Sequence, residues 1–361
     1  AGGGVVERGW SDWEYSKSVL VKENSGQTLT DYQVLLNLSG EDFPEGAKTD
    51  GSDLRFVDAE EEVELSYWIE KFDAANETGR VWVKVPEIPA DGEAELKMLF
   101  GNPSVESASN GSAVFEFFDD FEDGVIDVSK WTPCAASYYG HTHEWIKGDF
   151  WSEKEGYLSA TGKGDWIFIT SKRNFSTLDI AIETIMRPEQ NSNLGFQIMA
   201  DPLNINTNTR YVGGQICAYW SNPDWSVTAG NGTYAQREEL DDGCVVNGKW
   251  YELRLISNSS SVSIYNREEF KISISYEVPL EYAPLVLNVR GDWGSGAEGY
   301  FDYIRIRKYA DPEPTVKIEE EEPTVAVSTD ESEYFPGDRQ TTTLKIANPT
   351  EENLTFQWFW V

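Results

Sequence analysis

The sequence predicts an all-β protein built from tandem β-sandwiches. Aromatic residues form 13% of the chain, and Ser, Thr, Asn, Gly and Val are abundant, a composition that suits short strands joined by turns. Apolar and polar residues alternate in many short segments, as in half-buried strands, without sustained helical periodicity. At roughly 100–200 residues per domain, a chain of 361 residues is expected to hold two to three domains.

The charge balance excludes two classes of partner. The chain has 63 acidic and 29 basic residues, which gives a net charge of -34. Such a chain repels nucleic acids and anionic membrane surfaces, so neither is expected to bind it. A solvated acidic coat explains this composition, and tolerance of high salt or binding of divalent cations are the alternatives. No stretch is long and apolar enough to span a membrane.

The first predicted domain covers residues 10–112 and follows a Gly-rich tail over residues 1–9. Val81, Val83 and Val85 alternate with other residue types and so lie on one face of a half-buried strand. Further candidate strands are Ser18–Val21, Tyr32–Leu38 and Ala94–Phe100. Strands of this kind over about 100 residues predict a small antiparallel sandwich.

The second predicted domain covers residues 113–309 and repeats this pattern over a longer segment. Its candidate strands are Asp179–Met186, Tyr251–Leu255, Phe270–Tyr276, Leu285–Val289 and Gly299–Arg307. A domain of this length that consists of strands predicts a jelly-roll sandwich.

Residues 310–324 are predicted to be an extended spacer, because they combine prolines with the like-charge run Glu319–Glu322. Residues 325–361 hold three candidate strands, Val325–Ser328, Thr341–Ala347 and Leu354–Val361. These are too few for a closed immunoglobulin-like sandwich of about 100 residues. Either the chain is cut within a domain, or another segment completes the fold.

Cysteines and sequons bear on the compartment. Of the three cysteines, Cys134, Cys217 and Cys244, the last two lie in one aromatic, loop-rich region and are the expected disulfide pair. The start Ala1–Gly4 is compatible with earlier removal of a signal peptide. Seven Asn-x-Ser/Thr sequons favour an extracellular, cell-surface glycoprotein. Their acceptor residues are Asn37, Asn76, Asn110, Asn174, Asn231, Asn258 and Asn353.

Residues 10–118 resemble the domain of unknown function 2341, which occurs in secreted archaeal and bacterial proteins. The residues that carry the resemblance are Trp13–Tyr15, Leu29–Val34, Asp50–Phe56, Tyr67–Glu70, Val81–Pro86 and Phe100–Pro103. The resemblance implies a surface module and assigns no catalytic residue.

Two further segments resemble known folds. The opening Phe118–Gly124 with Lys130 and Trp131, and the closing Tyr300–Arg307, are similar to concanavalin A-like jelly rolls of the laminin-G or glucanase type. Residues 325–361 are similar to the first half of cell-adhesion-type immunoglobulin-like repeats. The resemblances together imply a surface protein of archaeal or bacterial type.

A glycosidase of the jelly-roll type needs two carboxylates at a fixed separation. The glucanases carry them as Glu-x-Asp-x-x-Glu, a motif that this chain does not contain. Glu183 lies in Ile182–Thr184 without the acids that should follow. The sequence therefore predicts a protein that is not an enzyme.

Related jelly rolls often bind a structural Ca²⁺ near their paired ends, through oxygen ligands. Alternation places Asp302 on the face of Ile304 and Ile306, where a buried carboxylate needs a cation or hydrogen bonds. We expect Ca²⁺ at Asp302, with Asp119 or Asp120 and backbone carbonyls. Hydrogen bonds from Asp302 to the backbone or to Lys130 are the alternative. His141 and His143, the only histidines, are interpreted as surface residues.

A second group of candidates is aromatic. Exposed rings stack on the apolar faces of sugars, while amides bond to hydroxyls. The expected ligand-binding residues are Tyr211, Tyr219, Trp220, Trp225, Tyr234, Asn204 and Asn206, with burial in the core as the alternative for each ring.

The chain ends in the apolar segment Phe356–Val361, an exposed edge if it is left unpaired. Pairing with a neighbouring subunit would cover it, and the tail Ala1–Arg8 could donate a strand in the same way. The favoured function is a structural or adhesive surface protein, a layer or filament component, with surface glycans or neighbouring subunits as partners. A dedicated lectin-like module is the first alternative, and a carbohydrate-active enzyme is the second.

Overall fold

The structure is a computed structural model, which describes residues 10–60, 63–136, 145–146, 150–162, 166–190, 192–200, 210–218, 224–291, 296–320, 324–329 and 342–347. It divides into two compact units. Unit 1 comprises Ala1–Val114 and Pro312–Val361, and unit 2 comprises Phe115–Asp311.

The described elements are strands joined by turns, with one short helix and two 3-10 turns. The strands are β1 (Tyr15–Lys22), β2 (Leu29–Ser39), β3 (Arg55–Asp58), β4 (Tyr67–Asp73), β5 (Thr78–Ile88), β6 (Glu93–Phe100), β7 (Phe117–Asp119), β8 (Trp131–Ala136), β9 (Trp145–Ile146), β10 (Trp151–Lys154), β11 (Tyr157–Gly162), β12 (Trp166–Ser176), β13 (Ile180–Glu189), β14 (Asn193–Met199), β15 (Arg210–Cys217), β16 (Trp225–Gly230), β17 (Ala235–Leu240), β18 (Tyr251–Ser257), β19 (Ser261–Asn266), β20 (Glu269–Ser275), β21 (Tyr282–Arg290), β22 (Ala297–Lys308), β23 (Thr315–Glu320), β24 (Thr324–Thr329) and β25 (Thr342–Ala347). Helix α1 is Gly111–Val114, and the 3-10 turns are Trp10–Asp12 and Gly40–Asp42. This confirms the predicted all-β class.

Unit 1 contains the antiparallel sheets β23-β1-β6-β3 and β2-β5-β4, besides the two-stranded sheet β24-β25 described below. The alternation predicted for β5 is confirmed, since Val81, Val83 and Val85 are buried. Val19, Val21, Leu96 and Met98 supply buried side chains from the other sheet, so each sheet contributes one apolar face.

The spacer prediction is wrong for residues 315–320. This segment forms β23 and pairs antiparallel with β1, with Val316 opposite Val21 and Ile318 opposite Val19. Prolines and a run of acids suggested a solvated spacer. The open edge of β1 explains the difference, because it offers unpaired backbone groups that a returning segment can satisfy.

Unit 2 is a sandwich of two eight-stranded sheets. Sheet I has the order β10-β11-β22-β13-β18-β19-β20, with β7 paired to β22. Sheet II has the order β17-β16-β15-β14-β21-β12-β8-β9. One apolar cluster joins the facing sides of the two sheets, with Leu253 and Ile304 from sheet I and Phe196 and Leu287 from sheet II. The tandem-sandwich architecture predicted from the sequence is confirmed in these two units.

Beyond β23, the described residues form the two-stranded antiparallel sheet β24-β25. The third strand predicted at Leu354–Val361 and the tail over residues 1–9 lie outside the described residues. The partial immunoglobulin-like domain therefore stays a prediction. Within the described ranges, no helix is long and apolar enough to cross a membrane.

Candidate functional site

The side of sheet II that faces away from the apolar cluster carries aromatic rings, arginines and amide side chains. We call it the outer face. In β12 and β21, alternation sends Ile167 and Leu287 inward and Trp166, Phe168 and Asn288 to the outer face. A second, small apolar cluster forms there from Trp166, Phe168, Met199 and Val286.

Trp166 is the centre of this cluster. Its ring stacks on Phe168 with centroids 5.8 Å apart and an interplanar angle of 7°. Two guanidinium groups also lie near the ring: Arg290 is 4.9 Å from the ring centroid and Arg210 is 6.0 Å from it. The outer face thus combines aromatic surface with positive charge.

Amide side chains occupy the neighbouring positions on the outer face. Gln197 Nε2 donates to Asn288 Oδ1 at 3.1 Å, and both residues are fully buried. The remaining amide atoms Gln197 Oε1, Asn288 Nδ2 and Gln215 Nε2 have no hydrogen-bond partner. Leaving a buried polar atom unpaired costs about 1–3 kcal/mol, so a polar group that reached these enclosed atoms would recover that free energy.

Gly195 makes room for this amide row. A Cβ at Gly195 would lie 2.6 Å from Asn288 Oδ1 and 2.8 Å from Gln215 Cγ. A glycine inside a strand often marks such a close approach. A period of two therefore marks the outer face in the sequence, in Gly195-x-Gln197, Gly213-x-Gln215 and Asn288-x-Arg290. This pattern was not identified from the sequence.

Acidic residues are absent from the central strands of sheet II. The chain contains 63 of them, yet β12, β14, β15, β16 and β21 hold none. On the outer face of these five described strands, no carboxylate is available to transfer a proton or to attack a sugar.

Over residues 50–134 the chain is similar to a known family. The model of that family, described as domain of unknown function DUF2341, matches these residues, which are well under half of the chain. The match starts within unit 1 and reaches β8 of unit 2. No curated protein matches the chain.

Several solved structures are similar to about half of the chain. A β-glucanase from Bacillus licheniformis shares 10% identity at a TM-score of 0.44, covering 53% of this chain and 97% of the other. An endo-β-1,3-glucanase from Pyrococcus furiosus shares 14% at 0.41, covering 54% and 94%. The laminarinase catalytic domain from Thermotoga maritima shares 16% at 0.40, covering 54% and 97%. Values this low say nothing about activity, and the architecture of unit 2 follows from its own two sheets.

The structure separates the predicted ligand-binding aromatics. Tyr211 lies against the turn between β16 and β17, where a Cβ at Gly232 would lie 2.8 Å from its ring, and the same turn carries the exposed Tyr234. Trp225 is a correction: it is fully buried in the apolar cluster, because alternation in β16 points it inward, and its Nε1 donates to Asp242. Outside the described residues lie Tyr219, Trp220, Asn204 and Asn206, as well as His141 and His143.

Asp119 of the predicted calcium set already has partners. It is buried, accepts a hydrogen bond from Trp131 Nε1 at 2.6 Å, and lies 3.6 Å from Lys130 Nζ. Burial raises its pKa even though both partners favour the charged form. Lys130 thus pairs with Asp119, whereas the alternative interpretation of the sequence predicted that it bonds to Asp302.

The face predicted for Asp302 is wrong. Phe301 and Ile304 both point into the apolar cluster, because the register with β13 shifts between Thr184 and Met186. This bulge inverts the alternation, so Asp302 is half-buried beside it. Burial, and then the charges of Glu122 and Asp120, raise the pKa of Asp302.

The carboxylates of Asp119, Asp120 and Asp302 do not form a side-chain cage in this structure. Within the described ranges, no group of three or more His, Cys, Asp or Glu side chains is placed to hold a metal ion. A calcium ion there would depend largely on backbone carbonyls, so its presence stays a prediction.

The predicted disulfide is also a correction. Cys217 is buried at the end of β15, and Cys244 is exposed in the loop after β17; no disulfide joins the two. They lie in the same region of the sequence, but alternation in β15 fixes the direction of the Cys217 side chain.

The sequons are on accessible parts of the fold as far as it is described. Five of the seven acceptor asparagines are exposed and Asn258 is half-buried, while Asn353 lies outside the described residues. The exposed ones are Asn37, Asn76, Asn110, Asn174 and Asn231.

Proposed function

We propose that this chain belongs to a secreted cell-surface protein with a structural or adhesive role, and that unit 2 binds glycans on the outer face of sheet II. The observation that supports glycan binding is the Trp166–Phe168 stack beside buried amides with unpartnered atoms. Phe168 is fully buried and Trp166 is 8% exposed, so the indole is the ring that a sugar can contact, and amides recognise hydroxyl groups.

Binding without hydrolysis is the proposed activity. A retaining glycosidase needs two carboxyl groups about 5–5.5 Å apart, and an inverting one needs them about 6.5–9.5 Å apart. The five central strands of sheet II supply amides and no acid at all. Amides hydrogen-bond to hydroxyls but do not transfer protons as carboxyl groups do.

The test is affinity electrophoresis of the whole chain in gels that contain soluble polysaccharides, with calorimetry for each polysaccharide that retards it. The diagnostic variant is Gln197→Leu with Asn288→Leu. Replacing both members of a buried hydrogen-bonded pair by apolar side chains of similar size is nearly neutral for stability. We expect affinity to fall about tenfold or more, as lost hydrogen bonds of this kind imply.

The matched control is Phe270→Ala, which removes an exposed aromatic ring from sheet I and should leave binding unchanged. If no polysaccharide retards the native chain, glycan binding on this face is wrong. Release of reducing ends from a bound polysaccharide would instead overturn the absence of hydrolysis.

The surface role has a separate test. We propose that copies of the chain associate through the terminal segments, and that Ca²⁺ bound near Asp302 stabilises unit 2. Light scattering and negative-stain imaging, each with and without Ca²⁺, should show defined oligomers, sheets or filaments. A strictly monomeric chain in both conditions would contradict self-association, and an unfolding temperature that Ca²⁺ does not change would contradict the metal.

A further inference from the structure

Positive charge is concentrated on the outer face of sheet II although the chain as a whole is strongly acidic. The net charge is -34, but the five central strands hold no acidic residue. Arg210 and Arg290, both half-buried, lie near one indole ring there. The charged residues within these five strands are therefore all basic, in contrast to the composition of the whole chain.

A β-bulge brings Arg210 to this face. Ile198 pairs with Val212, but Met199 pairs with Arg210, so one extra residue, Tyr211, is inserted in β15. Val212 points into the apolar cluster, and strict alternation would send Arg210 inward with it. Instead Arg210 lies opposite Met199, a member of the outer cluster. Bulges often redirect a side chain in this way at a functional site.

Arg210 has no acidic partner among the described residues. Burial, and then the positive charge of Arg237, lower its pKa to about 10, which still leaves the guanidinium charged at neutral pH. Its Nε atom has no hydrogen-bond partner. Arg237, by contrast, forms an ion pair with Glu239 at 2.9 Å.

A cation held without a counter-charge is costly in a protein interior, and the cost falls when an anion binds to it. Guanidinium groups bind carboxylate and sulfate oxygens through paired N–H donors. Two guanidinium groups beside one indole ring suit a sugar that bears an anionic group.

We infer that the outer face of sheet II selects anionic glycans, those with carboxylate or sulfate groups, through Arg210 and Arg290 beside Trp166. This inference rests on the proposed glycan binding and narrows its ligand class. Polyanions are repelled by the rest of the chain, and salt screens that repulsion over about 8 Å at physiological ionic strength. Recognition is therefore local and depends on the two arginines.

The experiment compares matched polysaccharide pairs by calorimetry on the whole chain. Polygalacturonate and its methyl ester share a backbone and differ in charge, as do dextran sulfate and dextran. We expect the charged member of at least one pair to bind about tenfold or more tightly than the neutral member. A preference in the first pair identifies carboxylate as the recognised group, and a preference in the second identifies sulfate.

Variants assign the preference to residues. Arg210→Gln and Arg290→Gln should each abolish most of the preference, while Arg210→Lys keeps the charge and should retain part of it. Arg187→Gln is the matched control: the Arg187 guanidinium lies 4.8 Å from the Trp250 ring centroid and 4.4 Å from that of Tyr300, on the side of sheet I that faces away from the apolar cluster. Thermal unfolding of every variant separates lost binding from lost folding.

Two outcomes overturn the inference. If the charged and the neutral polysaccharide of each pair bind equally tightly, the inferred selection of anionic glycans is wrong. The proposed glycan binding is then retained. If Arg187→Gln weakens binding as much as Arg210→Gln does, the attraction is a non-specific charge effect. Absence of binding to all four polysaccharides would count against the proposed function itself.

Discussion

Glu183 is buried between two arginines on the side of sheet I that faces away from the apolar cluster. Its Oε2 lies 2.5 Å from Arg305 Nε, and its Oε1 lies 3.1 Å from Arg307 Nε. Burial alone would raise the pKa of Glu183, but the two guanidinium groups outweigh it and hold the pKa at about 2. The acid that could have been half of a catalytic pair is therefore a structural counter-ion.

Replacing Glu183 should strongly destabilise unit 2. Glu183→Gln removes the carboxylate charge that both buried guanidinium groups contact, and breaking a buried ion pair in this way costs about 3–5 kcal/mol. Urea unfolding measures the change in the free energy of unfolding. The control is Glu252→Gln, which removes a half-exposed partner 3.9 Å from Arg267 and should cost about 0–1 kcal/mol. Equal costs would contradict the structural role.

Glu153 should make unit 2 less stable as pH rises. Burial, a hydrogen bond with the carboxylate of Asp123, and the charges of Asp119 and Asp123 raise the pKa of Glu153 from 4.5 to about 7. A carboxyl group whose pKa is raised on folding stabilises the protein below its unfolded pKa. That stabilisation is lost as pH rises from about 4.5 to about 7.

Glu153→Gln mimics the protonated form and tests this dependence. We expect the variant to unfold at a higher temperature than the native chain at pH 8 and at a similar temperature near pH 4. Glu155→Gln, two residues away and exposed, serves as the control and should follow the native profile. Parallel pH profiles for all three proteins would rule out a raised pKa at Glu153.

At the scale of elements, the sequence predicts strands well and the direction of individual side chains less well. Alternation correctly placed Val81, Val83 and Val85 inward, because β5 is paired without interruption at those positions. It failed at Asp302 and would fail at Arg210, since one inserted residue moves every later side chain to the opposite face. Bulges leave no local signal in composition, so the outer-face arginines could be found only from the pairing.

The strand β23 illustrates a different limit of sequence reasoning. Its partner β1 lies almost 300 residues earlier, and a pairing at that distance has no local signature. Truncating the chain after residue 311 removes β23 and re-exposes the edge of β1. We expect unit 1 to unfold at a lower temperature and the protein to aggregate more readily, because unpaired edges recruit other strands. Differential scanning calorimetry would detect the change, and an unaltered profile would mean that β23 contributes nothing to unit 1.

At the scale of the molecule, unit 2 is inserted into unit 1. The chain leaves unit 1 after Val114 and returns to it at Pro312. An inserted domain needs its two ends close together, and here β7 pairs antiparallel with β22, with Phe117 opposite Ile306. The first and last strands of unit 2 thus close its own sheet I.

This closure predicts that residues 115–311 fold on their own. The apolar cluster between sheets I and II is drawn from within unit 2, and both of its end strands are paired there. The isolated segment should therefore give a single cooperative unfolding transition, with the near-ultraviolet circular dichroism of packed aromatic rings. It should also retain any polysaccharide binding of the whole chain, because the outer face of sheet II is complete within it. The control is the same segment shortened to begin after Asp119, which removes β7 and should lose cooperativity. A full-length segment that unfolds without cooperativity would show that the core of unit 2 depends on unit 1.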